Sequence, residues 1–283
     1  MVVGYSSSDK IHNVAGVRLS AVCAGIRYHD KLDLVLIELA EQSTVSGVFT
    51  QNAFCAAPVV IAKSHLSSHD PRIFIINTGN ANAGTGEIGQ KHALECCLVV
   101  AKHAQIAVQQ VLPFSTGVIG EELPVSKIID GVPEALSCLN ESTWQDAAMG
   151  ILTTDTRPKL VSKQIELDGS LLTITGIAKG SGMINPNMAT MLSYVFTDAL
   201  IEKELLDQIL VDLVDKSFNR ITVDGDTSTN DACMLIATGK SGVSISELDN
   251  LKREEFIVGL KSVFQKLAIE LVKDAEGATK FIT

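Results

Sequence analysis

Short blocks of Val, Ile and Leu mark the first part of the chain. Val14–Ala21, Leu32–Ala40 and Val45–Phe49 are separated by glycines and polar clusters, so residues 11–63 read as strands and turns. Ile73–Ile76 is a fully apolar strand that runs into Asn77-Thr78-Gly79-Asn80-Ala81-Asn82-Ala83-Gly84. The apolar spacing then changes to threes and fours, which predicts a helix over Glu87–Gln109. Val111–Phe114 reads as a strand, and Pro124–Cys138 and Thr143–Leu152 as helices. Gln164–Leu167 and Leu171–Ile177 form a predicted hairpin around Asp168-Gly169. A strand is expected at Met191–Thr197, followed by an amphipathic helix burying Ile201, Leu205, Ile209, Leu213 and Val214. From about Asn250 a long helix buries Phe256, Leu260, Val263, Phe264, Leu267 and Leu271, with Glu276 at its end and Gly277 as terminator. Ala278–Thr283 resembles the opening of a further strand. Strands mixed with helices place the chain in the α/β class, with sheets and helices in layers.

Composition narrows the function. The 283 residues are 46% hydrophobic, enough for a substantial core in one or two structural units. Asp and Glu number 33 against 23 Lys and Arg, which argues against nucleic-acid and anionic-membrane partners. Met1–Lys10 lacks the cationic and apolar segments of a signal peptide, and runs such as Leu32–Ala40 are too short to span a bilayer. These features predict a soluble, cytoplasmic protein. The six cysteines show no CxxC spacing, and the six histidines all precede residue 104 without an HExxH pattern, so no metal site is expected. The acidic run Asp224-Gly225-Asp226-Thr227-Ser228-Thr229-Asn230-Asp231 lacks the spacing and terminal glutamate of an EF-hand and reads as a polar turn near the active centre. Gly84–Gly89 matches G-x-G-x-x-G, but the loop before it is long and no acidic residue follows at about twenty positions. Nucleotide binding is not expected there.

The segment with the most chemical content is Lys179-Gly180-Ser181-Gly182-Met183-Ile184-Asn185-Pro186-Asn187-Met188-Ala189-Thr190-Met191-Leu192-Ser193. A glycine-rich loop tightens through Asn-Pro-Asn and delivers a threonine into an apolar run. A threonine hydroxyl needs an adjacent base, and an N-terminal threonine supplies one in its own α-amine, with a pKa of roughly 7.7–8.0. Cutting the bond between Ala189 and Thr190, by an N-to-O acyl shift and hydrolysis, would create that terminus. Residue spacing alone reads more simply as a plain turn. The same holds at Ser115-Thr116-Gly117, where a glycine after a strand and a neighbouring hydroxyl can form an oxyanion hole or simply turn the chain. Thr153, Thr154 and Thr156 at a helix end read as caps on local grounds.

The run Lys-Gly-Ser-Gly-Met-Ile…Pro-Asn-Met-Ala-Thr-Met-Leu closely resembles the self-cleavage segment of the glutamate N-acetyltransferases, also called ornithine acetyltransferases, of arginine biosynthesis. The Asn-Thr-Gly-Asn-Ala-Asn-Ala run is similar to another segment of that family. The resemblance implies the family's layered fold, and cleavage into 1–189 and 190–283 with Thr190 as the acetyl-carrying nucleophile. It implies Thr116 and Gly117 as the oxyanion pair, and Thr153, Lys179, Thr190 and Glu276 as substrate-binding residues, with Thr154 and Thr156 as alternatives to Thr153. The implied substrates are N-acetylornithine and glutamate, with acetyl-CoA a further donor in some members and no cofactor. The implied assembly is a heterotetramer of two long and two short pieces. Family members continue beyond the point matched by Thr283 and draw an asparagine and a threonine from that continuation. Two other readings share the sequence: an autoprocessed amidase or peptidase with water as acceptor, and an inactive shortened or split family member.

Overall fold

The computed structural model describes residues 10–167, 169–185 and 191–282. Nine strands and six α-helices occur among them: β1 (Val17–Val22), β2 (Leu34–Leu39), β3 (Thr44–Phe49), α1 (Ala57–Ser68), β4 (Ile73–Asn80), α2 (Gly86–Ala104), β5 (Val111–Val118), α3 (Val125–Ser137), α4 (Trp144–Gly150), β6 (Lys159–Leu167), β7 (Ser170–Lys179), β8 (Leu192–Thr197), α5 (Lys203–Asp215), β9 (Ala232–Ala237) and α6 (Asn250–Lys273). The strands form two mixed sheets, ordered β1-β2-β4-β5 and β3-β9-β8-β7-β6. Within them β4 and β5 run parallel, as do β8 and β9.

The sheets stack face to face. Val17, Ile37, Phe74, Leu112 and Phe114 of the first meet Ile177, Leu192, Tyr194, Phe196, Met234 and Ile236 of the second in one apolar layer. Trp144 of α4 closes one side, edge-on to Phe196 at 5.3 Å between ring centres. The outer face of the first sheet is covered by α2 and α3 through Cys97, Val100, Ile128 and Val132. The outer face of the second is covered by α5 and α6 through Leu210, Leu213, Phe256, Leu260 and Phe264. The result is helices, sheet, sheet, helices. Both faces of β8 and β9 are therefore buried, which is why they are continuously apolar rather than alternating.

Several elements depart from the sequence expectation. Residues 57–68 are helix α1, not strand. Pro58 in its first turn presets a helical φ, and that outweighs the strand-like Val59-Val60-Ile61. α2 stops at Ala104 because Gln105 adopts a left-handed conformation (φ 57°), although apolar spacing continues to Val108. β4 and β5 extend four residues further than their apolar cores because their polar ends pair with each other, Thr78 opposite Thr116 and Gly79 opposite Gly117. β9 follows the acidic run where no strand is expected. α6 ends at Lys273, so Glu276 stands beyond the helix in a turn, and residues 278–282 are not strand.

Candidate active site

The C-terminal ends of β4 and β5, the turn after β7, the start of β8, the acidic run and the turn after α6 enclose a cavity of about 460 Å³. Thr116, Gly117, Thr153, Lys179 and Glu276, predicted from four separate stretches of sequence, all line it. Ala189 and Thr190 lie outside the described residues. Met191 and Leu192, which follow them, line the same cavity.

The floor is set by backbone. Gly117 has φ 135°, and a Cβ there would lie 2.3 Å from the carbonyl carbon of Gly79 and 2.5 Å from the amide nitrogen of Asn80. Only glycine lets the two parallel strands approach so closely at the cavity wall. Asn230 ties the acidic run to this floor: its Nδ2 donates to the carbonyls of Ala81 (2.6 Å) and Ser115 (2.9 Å). Asp224 holds the glycine-rich loop, its carboxylate accepting from the amides of Met183 and Ile184 (2.9 Å to the latter). Asp33 orders a further wall by accepting from the amides of Ala24 (2.7 Å) and Ile26 (2.6 Å); burial raises its pKa and these bonds oppose the rise.

Lys179 ends β7 and is nearly inaccessible. Its Nζ donates to Thr116 Oγ1 at 3.2 Å, joining a predicted substrate ligand to the predicted oxyanion pair. Burial pulls its pKa down; Asp155, Asp231 and Glu276 pull it back up, while Lys159 adds to the fall. The carboxylate of Glu276 packs against Gly182, where a Cβ would come within 2.9 Å of it, and its amide donates to the Ser181 carbonyl at 2.7 Å. Thr154 and Thr156 are engaged elsewhere: Thr154 Oγ1 pairs with Ser181 Oγ at 2.9 Å, and Thr156 bonds Asp274 through both its amide and its hydroxyl. Thr153 and Thr154 reach the cavity and Thr156 does not.

Sequence reading missed Asp155, Lys159 and Asp274, a buried ionic group behind Lys179. It also missed Arg27, Tyr28, Lys31 and Asp33 on the cavity wall. A lysine at the head of a core strand was the available signal for the first group. The second sits on an ordinary polar loop and gave none. Gly89 serves packing: Asn82 Nδ2 donates to its carbonyl, and a Cβ there would collide with Thr85 Oγ1 at 1.9 Å. Among the described residues no cluster of His, Cys, Asp and Glu has metal-binding geometry, and no helix is long and apolar enough to cross a membrane.

The chain is similar to proteins of known family. The chain is 49% identical over 286 residues to the arginine biosynthesis bifunctional protein ArgJ of Pseudomonas fluorescens, covering all of this chain and 70% of that protein. It is 50% identical over 276 residues to the protein of the same name from Psychrobacter arcticus, covering 97% of this chain and 68% of that one. A Mycobacterium tuberculosis ornithine acetyltransferase solved with ornithine superposes with a TM-score of 0.58 and 34% identity, over 62% of this chain and 93% of that one. The ArgJ family model matches residues 18–283. The chain belongs to the ArgJ family.

Proposed function

We propose that the cavity transfers an acetyl group from N2-acetylornithine to glutamate in arginine biosynthesis, through an acetyl ester on Thr190. The bond between Ala189 and Thr190 breaks first, by attack of the Thr190 hydroxyl on the Ala189 carbonyl and hydrolysis of the resulting ester. The freed α-amine is then the base that takes the hydroxyl proton as Oγ attacks the acetyl carbonyl. Thr116 and Gly117 stabilise the oxyanion. Ornithine leaves as the free amine, and the amine of glutamate takes the acetyl group from the ester in the reverse sequence. Lys179 holds the substrate carboxylate, Glu276 its amino group, and Thr153 a further polar contact. The observation that carries this reading is the convergence on one cavity of Thr116, Gly117, Thr153, Lys179 and Glu276 with Met191, the residue after Thr190. Ornithine bound to the similar mycobacterial acetyltransferase supports the substrate.

Acetyl-CoA as a second donor, a heterotetramer of two 1–189 and two 190–283 pieces, and a cytoplasmic location complete the proposal. The amidase reading is less favoured, because relatives at 49% and 50% identity are arginine-biosynthesis proteins.

Intact mass of the purified chain and of Thr190→Ala, before and after N-acetylornithine, tests the mechanism. The expected result is two pieces from the parent alone, with one acetyl increment on the piece beginning at Thr190. An uncut parent, or acetyl label elsewhere, overturns it.

A further inference from the structure

Asp155, Lys159 and Asp274 have side chains at most 1% exposed. Lys159 Nζ bridges the two carboxylates from the first residue of β6. Each arm of this group ends on a strip of cavity wall. Asp155 Oδ1 accepts from the amide of Gly180, the residue after Lys179, at 2.6 Å, and Asp155 Oδ2 accepts from the amide of Thr153 at 3.1 Å. Asp274 fixes the end of α6, two residues before Glu276. Three cavity residues expected to hold the amino-acid substrate are thus tied to one ionic group.

We propose that Asp155, braced by Lys159 and Asp274, is the positioning residue that keeps Lys179 charged and aligned with Glu276 for the substrate's carboxylate and amine. This rests on the acetyl-transfer reading of the cavity. A buried ion pair adds little net stability compared with apolar side chains of similar size, so stability alone is a weak reason for three charged groups behind a cavity wall. Alignment supplies a better one. A buried ammonium tends to lose its proton, and Lys179 must keep it to hold a carboxylate. The groups facing Lys179 are Asp155 before β6, Lys159 on β6, Asp231 before β9, Glu276 after α6 and the neutral Thr116 on β5. Asp155 is the largest influence favouring its charge. Asp155 is itself held ionised: burial opposes its charge, but Lys179, Lys159 and the Gly180 amide outweigh that and lower its pKa. Asp155 accepts its hydrogen bonds from Lys159 and from the amides of Gly180 and Thr153, and the hydrogen bond Lys179 makes among the described residues is to Thr116. An ammonium has three donors, and among the described residues two are left for a substrate carboxylate.

The test compares the full-length parent with Asp155→Asn and Asp274→Asn. In protein labelled with [13Cε]lysine, the Lys179 signal is assigned by its loss in Lys179→Met and followed against pH. In Asp155→Asn its midpoint falls, the alkaline limb of kcat/KM for glutamate falls with it, and KM rises at least tenfold while kcat changes less. In Asp274→Asn, which leaves Asp155 in place, KM rises while the Lys179 midpoint stays near the parent value. A folded Asp155→Asn with unchanged midpoint and KM overturns the proposal. If Asp155→Asn does not fold, an Asp274→Asn whose KM equals the parent's overturns it. If the parent transfers no acetyl group, the proposed function fails, and the lysine titration still decides whether Asp155 sets the charge of Lys179.

Discussion

Gly117→Ala is the most informative single substitution. Its Cβ would sit 2.3 Å from the Gly79 carbonyl carbon, 2.5 Å from the Asn80 nitrogen and 2.7 Å from the Gly79 Cα. All three are backbone atoms of a paired strand, so no side chain can swing aside. Overpacking of this kind costs about 1–3 kcal/mol. A positive φ on a residue with a Cβ adds about 1–3 kcal/mol. The sum, about 2–6 kcal/mol, is a large part of the roughly 5–15 kcal/mol that holds a domain folded. Gly120→Ala is the matched control, since Gly120 also has positive φ (83°) but nothing lies within 4 Å of the added Cβ. Urea unfolding should place Gly117→Ala about 1–3 kcal/mol below Gly120→Ala. Relief of the clash must part β4 from β5 at the cavity floor, which displaces the proposed oxyanion donors. Loss of one such donor costs about 10²–10³ in kcat. Equal urea midpoints for the two variants, with acetyl transfer intact in Gly117→Ala, would refute the close-approach argument.

Asn230→Ala should lower stability by about 1–3 kcal/mol in urea unfolding, because it strands the Ala81 and Ser115 carbonyls. Phe264→Ala, which empties a site beside Phe218 that does not line the cavity, should cost about 3–5 kcal/mol yet leave KM for glutamate unchanged. The depressed pKa of Asp155 contributes stability that is fully present above its unfolded value of about 3.9 and is lost as pH falls through the folded value; the urea midpoint of Asp155→Asn should therefore fall less than the parent's as pH is lowered through that window. The depressed pKa of Lys179 acts in the opposite half of the scale: the unfolded chain binds more protons between the folded value and about 10.4, so parent stability relative to Lys179→Met should rise with pH there, as read from urea midpoints.

The parts of the fold legible in the sequence are those where local pattern and final environment agree. α5 sits half in the core, so its apolar spacing reports its packing directly, whereas β2 and β7 are buried on both faces and were legible as dense apolar runs, β7 with the help of an Asp-Gly turn signal before it. α1 was illegible because its Val59-Val60-Ile61 run satisfies strand and helix alike, and Pro58 decides between them only through the first turn. β9 was hidden for the opposite reason. Six buried residues in a row carry no alternation, and the acidic run before them draws the eye to a loop. The individual wall residues Thr116, Gly117, Thr153, Lys179 and Glu276 came from resemblance rather than from spacing, since each is locally an ordinary turn, cap or surface residue. Asp155, Lys159 and Asp274 lie across 119 positions of sequence (155 to 274) and become one group only when β6 packs under the end of α6. No local pattern carries such a pairing.

The order of the second sheet has a consequence for a chain opened between β7 and β8. Strands β3, β7 and β6 precede that point and strands β8 and β9 follow it, so across the sheet the two parts are threaded as first, second, second, first, first. The second part is flanked on both edges by the first: β9 is bonded to β3 from Thr44 to Phe49, and β8 to β7 from Ile174 to Lys179. Separation would require two ladders to be unzipped at once, together with the apolar layers above and below them. A cut there removes the covalent link but not the interlock, so the nicked molecule should melt as one body and not shed a fragment.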